Sequence, residues 1–491
     1  MPLAFAGGIF LRRQEMADRI RRLFKERGEL IRLIAVIFFS VALIAFTCYH
    51  AFSQNPDGDA YFLIETGRYI AVNHKLPDTA YWLITDGVPT MTQQWLCCIV
   101  NYAFYSLFGL TGTKYLALIL AGVLYGIDYL FAKSITERKS DAMGLAAIML
   151  FMTKAFISTR PYTMTIAASV LMVYVLRRFF SEKEHTPKSI TLFYVATALI
   201  FVFQANWQIS NTFFPMLWIC CFIPRLKDKK PSLDLYAIGA LGVGIVSTVL
   251  NPNGLKGALY IVNTIGDVKG FKIAEMMSPP MKSIKMVFAV IVIALTVYLI
   301  KQIPLWLLFA SAGSVLASCV YIRCSWMMAI PLACLIVMLK ADWVKTLIRT
   351  AVFFAFVIYG FIKIPDAMVY YFWLPNEVTE QITSYIPNNE DTVLFTDFNT
   401  GNFMMFSGYK IYYDARPDIY GPGIAGSKAL NSEMLDVMEG RADYDEFVDK
   451  YGFNWFVVSS TDDIKYYLDY NEDRYEIAYE GYGPTVYHKI G

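Results

Sequence analysis

Apolar runs of about 20 residues recur along most of this chain, and a run of that length is what an α-helix needs to cross the roughly 30 Å hydrocarbon core of a bilayer. They fall at roughly 31–51, 113–132, 142–158, 162–179, 190–205, 211–224, 234–250, 285–301, 303–320, 325–340 and 345–364. The fold class expected is therefore an α-helical integral membrane protein with about eleven transmembrane helices. The 491 residues are 56% hydrophobic and 17% charged, where a soluble domain averages about 45–50% and about 25%. The net charge of +2 gives no reason to expect nucleic acid. The eight cysteines lie in or beside apolar runs and suggest neither a disulfide framework nor a zinc site. Four scattered histidines supply no metal motif.

Charge bias orients the chain. Basic clusters occur at Arg12–Arg27, at Lys133, Arg138 and Lys139, at Arg177, Arg178, Lys183 and Lys188, at Arg225, Lys227, Lys229 and Lys230, at Lys301, and at Lys340, Lys345 and Arg349. All of them face the cytoplasm if the apolar segment 95–110 does not cross, so that segment reads as an interfacial or re-entrant helix. Residues 1–30 then form a cytoplasmic basic amphipathic terminus leading into a signal anchor, with no small-residue cleavage site. Residues 31–364 form the polytopic domain, with an external loop at 52–112. From about Pro365 the composition becomes that of a soluble protein. TVLFTDF, YKIYYDARPD and NWFVVSS read as strands, and NSEMLDVMEGR and DYDEFVDKYG as helices. This predicts an extracytoplasmic α/β domain over 365–491.

The same topology collects Asp59, Arg160, Asn206, Gln208, Ser210, Asn251, Glu275 and Arg323 on the external face. Charged groups at membrane depth usually face a cavity and one another. Asn55–Leu96 is too polar to enter a bilayer, yet it sets Asp57, Asp59, Glu65, Asp78 and Asp86 among Trp, Tyr and Phe. A carboxylate held at a membrane face can take a proton from a hydroxyl while a second substrate stays in lipid. Asp59 is the candidate for that role, and Asp57 a neighbour at the same substrate. NPDGD is also a turn-then-helix start, so a helix cap is the alternative reading. Arg160 and Arg323 suit a phosphate, because a guanidinium fork makes paired charge-assisted hydrogen bonds, or else they snorkel to the interface. Asn206, Gln208 and Asn251 suit sugar hydroxyls, with Trp207 as a stacking face, or else cap helices and form turns. Glu275 is a second acidic candidate in an external loop. The chain has no P-loop, dinucleotide glycine signature, HExxH, CxxC pair or GxSxG, which argues against a nucleotide-driven pump or a common hydrolase.

In this order the residues resemble a bacterial branch of the GT-C glycosyltransferase superfamily. Its D-x-W-W-H-L-x-x-G element is matched by Asp59-Ala-Tyr-Phe-Leu-Ile-Glu-Thr-Gly67. Lys75-Leu76-Pro77, Gln93-Gln94-Trp95-Leu96, Arg160-Pro161, Asn206–Ser210, Asn251–Gly254, Arg323 and Asp414-Ala-Arg416-Pro-Asp418-Ile-Tyr420-Gly421 continue the series. Leu63 and Gln208 stand where the family has histidines, and Ala80 where it has an aspartate.

The resemblance implies a polyprenyl-phosphate-linked sugar as donor, used on the external face of a bacterial plasma membrane. The acceptor would be a hydroxyl of a cell-envelope polysaccharide, lipid or protein. It implies that Asp59 acts at the acceptor, that the sugar is transferred with inversion, and that Arg160 or Arg323 meets the departing phosphate. A divalent cation is conceivable for such chemistry, although the sequence offers no metal motif. The departures leave two alternatives: a non-catalytic component of envelope polysaccharide assembly, and a transporter or flippase of lipid-linked sugars. The sequence has none of the internal symmetry a transporter often carries.

Overall fold

Among the described residues, four helices are long and apolar enough to cross a membrane: α1 (Leu33–Phe52), α4 (Thr111–Ile135), α6 (Tyr162–Ser181) and α7 (Pro187–Trp207). At 20 to 25 residues each, they reach about 30–37 Å. The computed structural model describes residues 30, 33–52, 58–223, 231–267, 271, 273, 276–281, 283–339, 376–459, 462–481 and 483–490. The expected run at 345–364 and the basic terminus 1–29 lie outside them, as do Asp57 and Glu275.

Between α1 and α4 lie α2 (Gly58–Asn73) and α3 (Trp95–Phe108). The remaining runs fold as shorter helices. These are α5 (Lys139–Met152), α8 (Phe213–Phe222), α9 (Pro231–Ser247), α12 (Ile284–Tyr298), α13 (Leu305–Val320) and α14 (Ala329–Met338), with two single-turn pieces, α10 (Gly254–Ala258) and α11 (Tyr260–Thr264). The expected run 142–158 breaks into a 3-10 turn at Lys154–Phe156, ahead of Ser158-Thr159-Arg160-Pro161. The run 325–340 opens with a 3-10 stretch at Ile322–Met328. At 14 residues, α3 spans only about 21 Å, short of a hydrocarbon core.

The helices pack around a continuous apolar core, in which Ala121, Ala132, Ala142 and Ala147 admit close approach between α4 and α5. Trp218, Trp326, Phe214 and Phe222 fill its far side. On the outer surface Phe38, Ile119, Leu192, Leu199, Val246, Val290 and Leu316 are exposed. Helices apolar on both faces are what a lipid solvent permits.

After α15 (Asn376–Tyr385) the chain builds a small sheet from β1 (Leu394–Thr396), β2 (Trp455–Val458), β3 (Tyr475–Tyr479) and β4 (Thr485–Lys489), ordered β1-β2-β4-β3. β1 and β2 run parallel, while β4 lies antiparallel to both β2 and β3. Leu394–Thr396 and Trp455–Val458 are buried on both faces, as strands of a covered sheet are. Around it lie α16 (Gly401–Phe406), α17 (Pro417–Tyr420), α18 (Ala429–Met438), α19 (Tyr444–Tyr451) and α20 (Asp463–Tyr470). Asp443 starts α19 by accepting a hydrogen bond from the Glu446 amide at 3.1 Å, and Gly452 at φ 68° ends it.

The expected strand YKIYYDARPD is reduced to single bridges at Ile411, which pairs with Leu394 on one side and Leu83 on the other. The Ile411 amide donates to the Trp82 carbonyl at 2.8 Å, and the Ile84 amide to the Ile411 carbonyl at 2.9 Å. The loop after α2 thus extends the sheet past β1 and covers an edge that would otherwise be open. One hydrophobic core runs from Tyr61, Phe62 and Leu63 through Trp82 and Leu83 to Phe395, Phe456 and Val457. The interior beneath this sheet is thus shared with the first polar loop.

Candidate functional site: the Asp59–Arg160 pair and its surround

Asp59 sits in the first turn of α2, where the helix dipole favours a carboxylate. Ala60 through Ile64 are buried behind it and fix its direction. Gly67 lets α2 meet α3: a Cβ there would fall 2.1 Å from the Cys98 carbonyl oxygen. From α3, the Asn101 amide reaches back to donate to the Thr159 carbonyl at 3.2 Å. On the far side, the Trp207 indole donates to the Pro161 carbonyl at 3.1 Å. The Arg160 amide donates to Ser158 Oγ at 3.2 Å. These contacts hold the segment between α5 and α6 so that Arg160 Nε lies 3.0 Å from Asp59 Oδ2, with 23% and 29% of the two side chains exposed.

Three more cations gather about the same segment, each on an aromatic face. The Arg323 guanidinium lies 4.7 Å from the Tyr162 ring centre, and Lys285 Nζ lies 5.7 Å from that of Phe156. The two rings are 6.2 Å apart. Lys154 Nζ rests 4.6 Å from Phe46 and 4.7 Å from Phe151. Cation–π contact holds each cation against an aromatic face beside this segment. Arg160 and Arg323 are legible in the sequence. Lys154 and Lys285 are not, because a lone lysine bordering an apolar run reads as snorkelling.

The sheet region closes the site from above. Asn402, on α16, points its Nδ2 at Asp59 Oδ1 from 3.5 Å. Below it the Asp414–Gly421 element clamps the first loop. The Arg416 guanidinium is sandwiched between Phe62 at 4.6 Å and Trp82 at 4.3 Å, and it pairs with the fully buried Asp414. Tyr420 donates to Asp414 Oδ2 at 2.7 Å and accepts from the Trp82 indole at 2.9 Å. Burial alone would make Arg416 easier to deprotonate, but the Asp414 carboxylate outweighs it and holds the guanidinium above its ordinary range. Asp418 accepts hydrogen bonds from Gln93 at 3.0 Å and from the Tyr260 hydroxyl. Burial pushes the Asp418 carboxyl up, and the Tyr260 hydrogen bond opposes it.

The amide candidates are committed to protein partners. Asn206 accepts from the Trp95 indole at 2.9 Å and donates to the Val202 and Leu250 carbonyls at 2.7 and 2.8 Å. Gln208 accepts from Asn211. Asn251 closes its own turn, accepting from the Asn253 amide at 2.8 Å and donating to the Gly254 carbonyl at 3.0 Å. Trp207 is buried against Phe203 and braces Pro161. Asp78 and Asp86 lie on the loop after α2, where the Asp78 carbonyl accepts from the Thr90 amide at 3.0 Å and Asp86 lies 3.4 Å from Lys410. Among the described residues, no three His, Cys, Asp or Glu side chains stand close enough to hold a metal ion.

No family model and no curated protein matches the sequence. Solved structures match the fold. The archaeal oligosaccharyltransferase AglB from Archaeoglobus fulgidus, in complex with an inhibitory peptide and a dolichol-phosphate, superposes with a TM-score of 0.61 at 10% identity, covering 89% of this chain and 70% of that one. The apo form of the Archaeoglobus fulgidus oligosaccharyltransferase gives 0.55 at 11% identity over the same shares. At such identity the likeness is one of fold alone, shared with the archaeal oligosaccharyltransferase.

Proposed function

We propose that this chain is a membrane glycosyltransferase that moves a sugar from a polyprenyl-phosphate-linked donor to an acceptor hydroxyl, with inversion. The carrying observation is a carboxylate, Asp59, paired at 3.0 Å with Arg160 beside Lys154, Lys285 and Arg323, on a GT-C fold. The AglB complex holds a dolichol-phosphate and a peptide, which supports a lipid-phosphate donor here. In this reading the acceptor oxygen attacks the anomeric carbon as Asp59 takes its proton. The bond from that carbon to the phosphate oxygen breaks, and its electron pair leaves with polyprenyl phosphate. Arg160, Arg323, Lys285 and Lys154 meet the charge that develops on the leaving group.

The orientation follows from the basic clusters. The N-terminus is cytoplasmic, while the site and the sheet region are external, on the plasma membrane of a bacterium. The acceptor class is an envelope polysaccharide, lipid or protein. The test is donor turnover by protein in nanodiscs, offered a panel of radiolabelled polyprenyl-phosphate sugars. Release of polyprenyl phosphate supports the enzyme. Saturable binding with no release, in the presence of acceptor extracts, would instead favour a non-catalytic assembly component.

A further inference from the structure

The two oxygens of Asp59 face partners of unlike burial. Arg160 meets Oδ2 at 3.0 Å, and nearly a quarter of its long side chain is exposed. Asn402 faces Oδ1 at 3.5 Å from a residue only 2% exposed. Asn402 is also fixed from behind. Asp397, just past β1, accepts hydrogen bonds at 2.7 Å from the amides of Asn399 and Thr400. Gly401 then passes so close to Tyr413 that a Cβ would lie 1.9 Å from its carbonyl oxygen. One oxygen of the carboxylate therefore pairs with a partly exposed side chain, and the other faces an amide built into the sheet region.

A guanidinium shared with a carboxylate is open to competition from a phosphate, and the competition grows during glycosyl transfer. The bound sugar phosphate is a diester with one negative charge, whereas the departing monoester carries about two. An interaction that strengthens as the reaction proceeds is one that accelerates it. We infer that Arg160 changes partners during transfer, leaving Asp59 for the departing phosphate, while Asn402 acts as the positioning residue that keeps Asp59 aimed. Oδ2 then faces the acceptor hydroxyl as the phosphate takes up the bond's electron pair. Base and leaving group are coupled through one side chain. The inference rests on the glycosyltransferase reading above.

Binding of a polyprenyl monophosphate, the product, tests the exchange without needing the acceptor. Full-length wild type, Asp59→Asn, Arg160→Ala and the double variant are compared in nanodiscs of zwitterionic lipid, each checked for an unchanged melting temperature. Removing the competing carboxylate is expected to tighten binding about twofold to fivefold, the range of a partly exposed ion pair. That gain should vanish in the Arg160→Ala background. Asn402→Ala should leave the affinity within about twofold yet lower kcat rather than raise KM for the donor. Binding to Asp59→Asn that equals wild type overturns the exchange while the donor site stands. So does a gain that persists without Arg160, or one that phosphatidylglycerol shows equally. Absence of saturable binding in wild type overturns both readings.

Discussion

The guanidinium of Arg416 lies 4.3 Å from the ring centre of Trp82, joining the C-terminal sheet region to the first polar loop across more than three hundred residues of sequence. The contact is one layer of a stack: Phe62 flanks the other face, Asp414 neutralises the charge, and Tyr420 links Asp414 to the Trp82 indole. The stack seats Asn402 over Asp59, so a structural clamp and the candidate site are parts of one assembly.

Breaking the clamp should unfold this assembly. Arg416→Ala leaves the buried Asp414 carboxylate without its cation, a change that typically costs about 3–5 kcal/mol. Arg416→Lys keeps the charge but loses the planar fork and its stacking, and should fall between the two. Thermal unfolding in nanodiscs measures both. A melting temperature for Arg416→Ala within a degree of wild type would show that the stack contributes little.

Gly67 predicts a second, purely steric effect. With the Cys98 carbonyl 2.1 Å from where a Cβ would sit, Gly67→Ala forces α2 and α3 apart. Overpacking of this kind costs about 1–3 kcal/mol, and it displaces Asp59 at the start of α2. Stability and donor turnover should fall together. Gly58→Ala, in open space on the same helix, serves as the control.

Burial and the neighbouring Asp397 push the Asp462 carboxyl far above the carboxylate range. A group whose folded pKa exceeds its unfolded value, about 3.9 for Asp, stabilises most below that unfolded value. The stabilisation is lost as pH rises toward the folded one. Stability should therefore decline as pH rises from about 4 through neutrality. Asp462→Asn should raise the melting temperature at pH 8 more than at pH 5. A pH-independent difference would contradict the assignment.

Lys285→Ala should weaken binding of a polyprenyl monophosphate about tenfold, the scale of one charge-assisted hydrogen bond. The effect should shrink with added salt. Lys301→Ala, at the other end of α12 and its following turn, should leave binding unchanged. Equal effects of the two substitutions would indicate general attraction to anions in place of a site.

The four long spans are legible because a long apolar run shows in the sequence itself, independent of which helices meet. The ends of the short helices were less so, since Lys154–Phe156 and Ile322–Met328 continue apolar runs while their backbone tightens. β1 and β2 announce themselves as buried apolar tetrads or triads. β3 and β4 escaped notice because Tyr475–Tyr479 and Thr485–Lys489 mix Tyr with Glu, His and Lys on half-exposed positions. Asp59 and Arg160 could be picked out singly, but their pairing depends on Asn101 and Trp207 bracing a distant loop. Asn206 and Asn251 show the reverse problem, because the side chain that would bind a sugar also ties a helix end or closes a turn. Asn402 carried no signal at all until Gly401 and Tyr413 came together.

If Asp59 is the base for glycosyl transfer, single-turnover release of polyprenyl phosphate will depend on its carboxylate. Wild type and Asp59→Asn are loaded with the same donor in nanodiscs and started with acceptor. A positioned proton-transfer group typically contributes about 10²–10⁴-fold. Asp59→Asn should lose a factor of that order with donor still bound, and release near the wild-type rate would rule Asp59 out as the base.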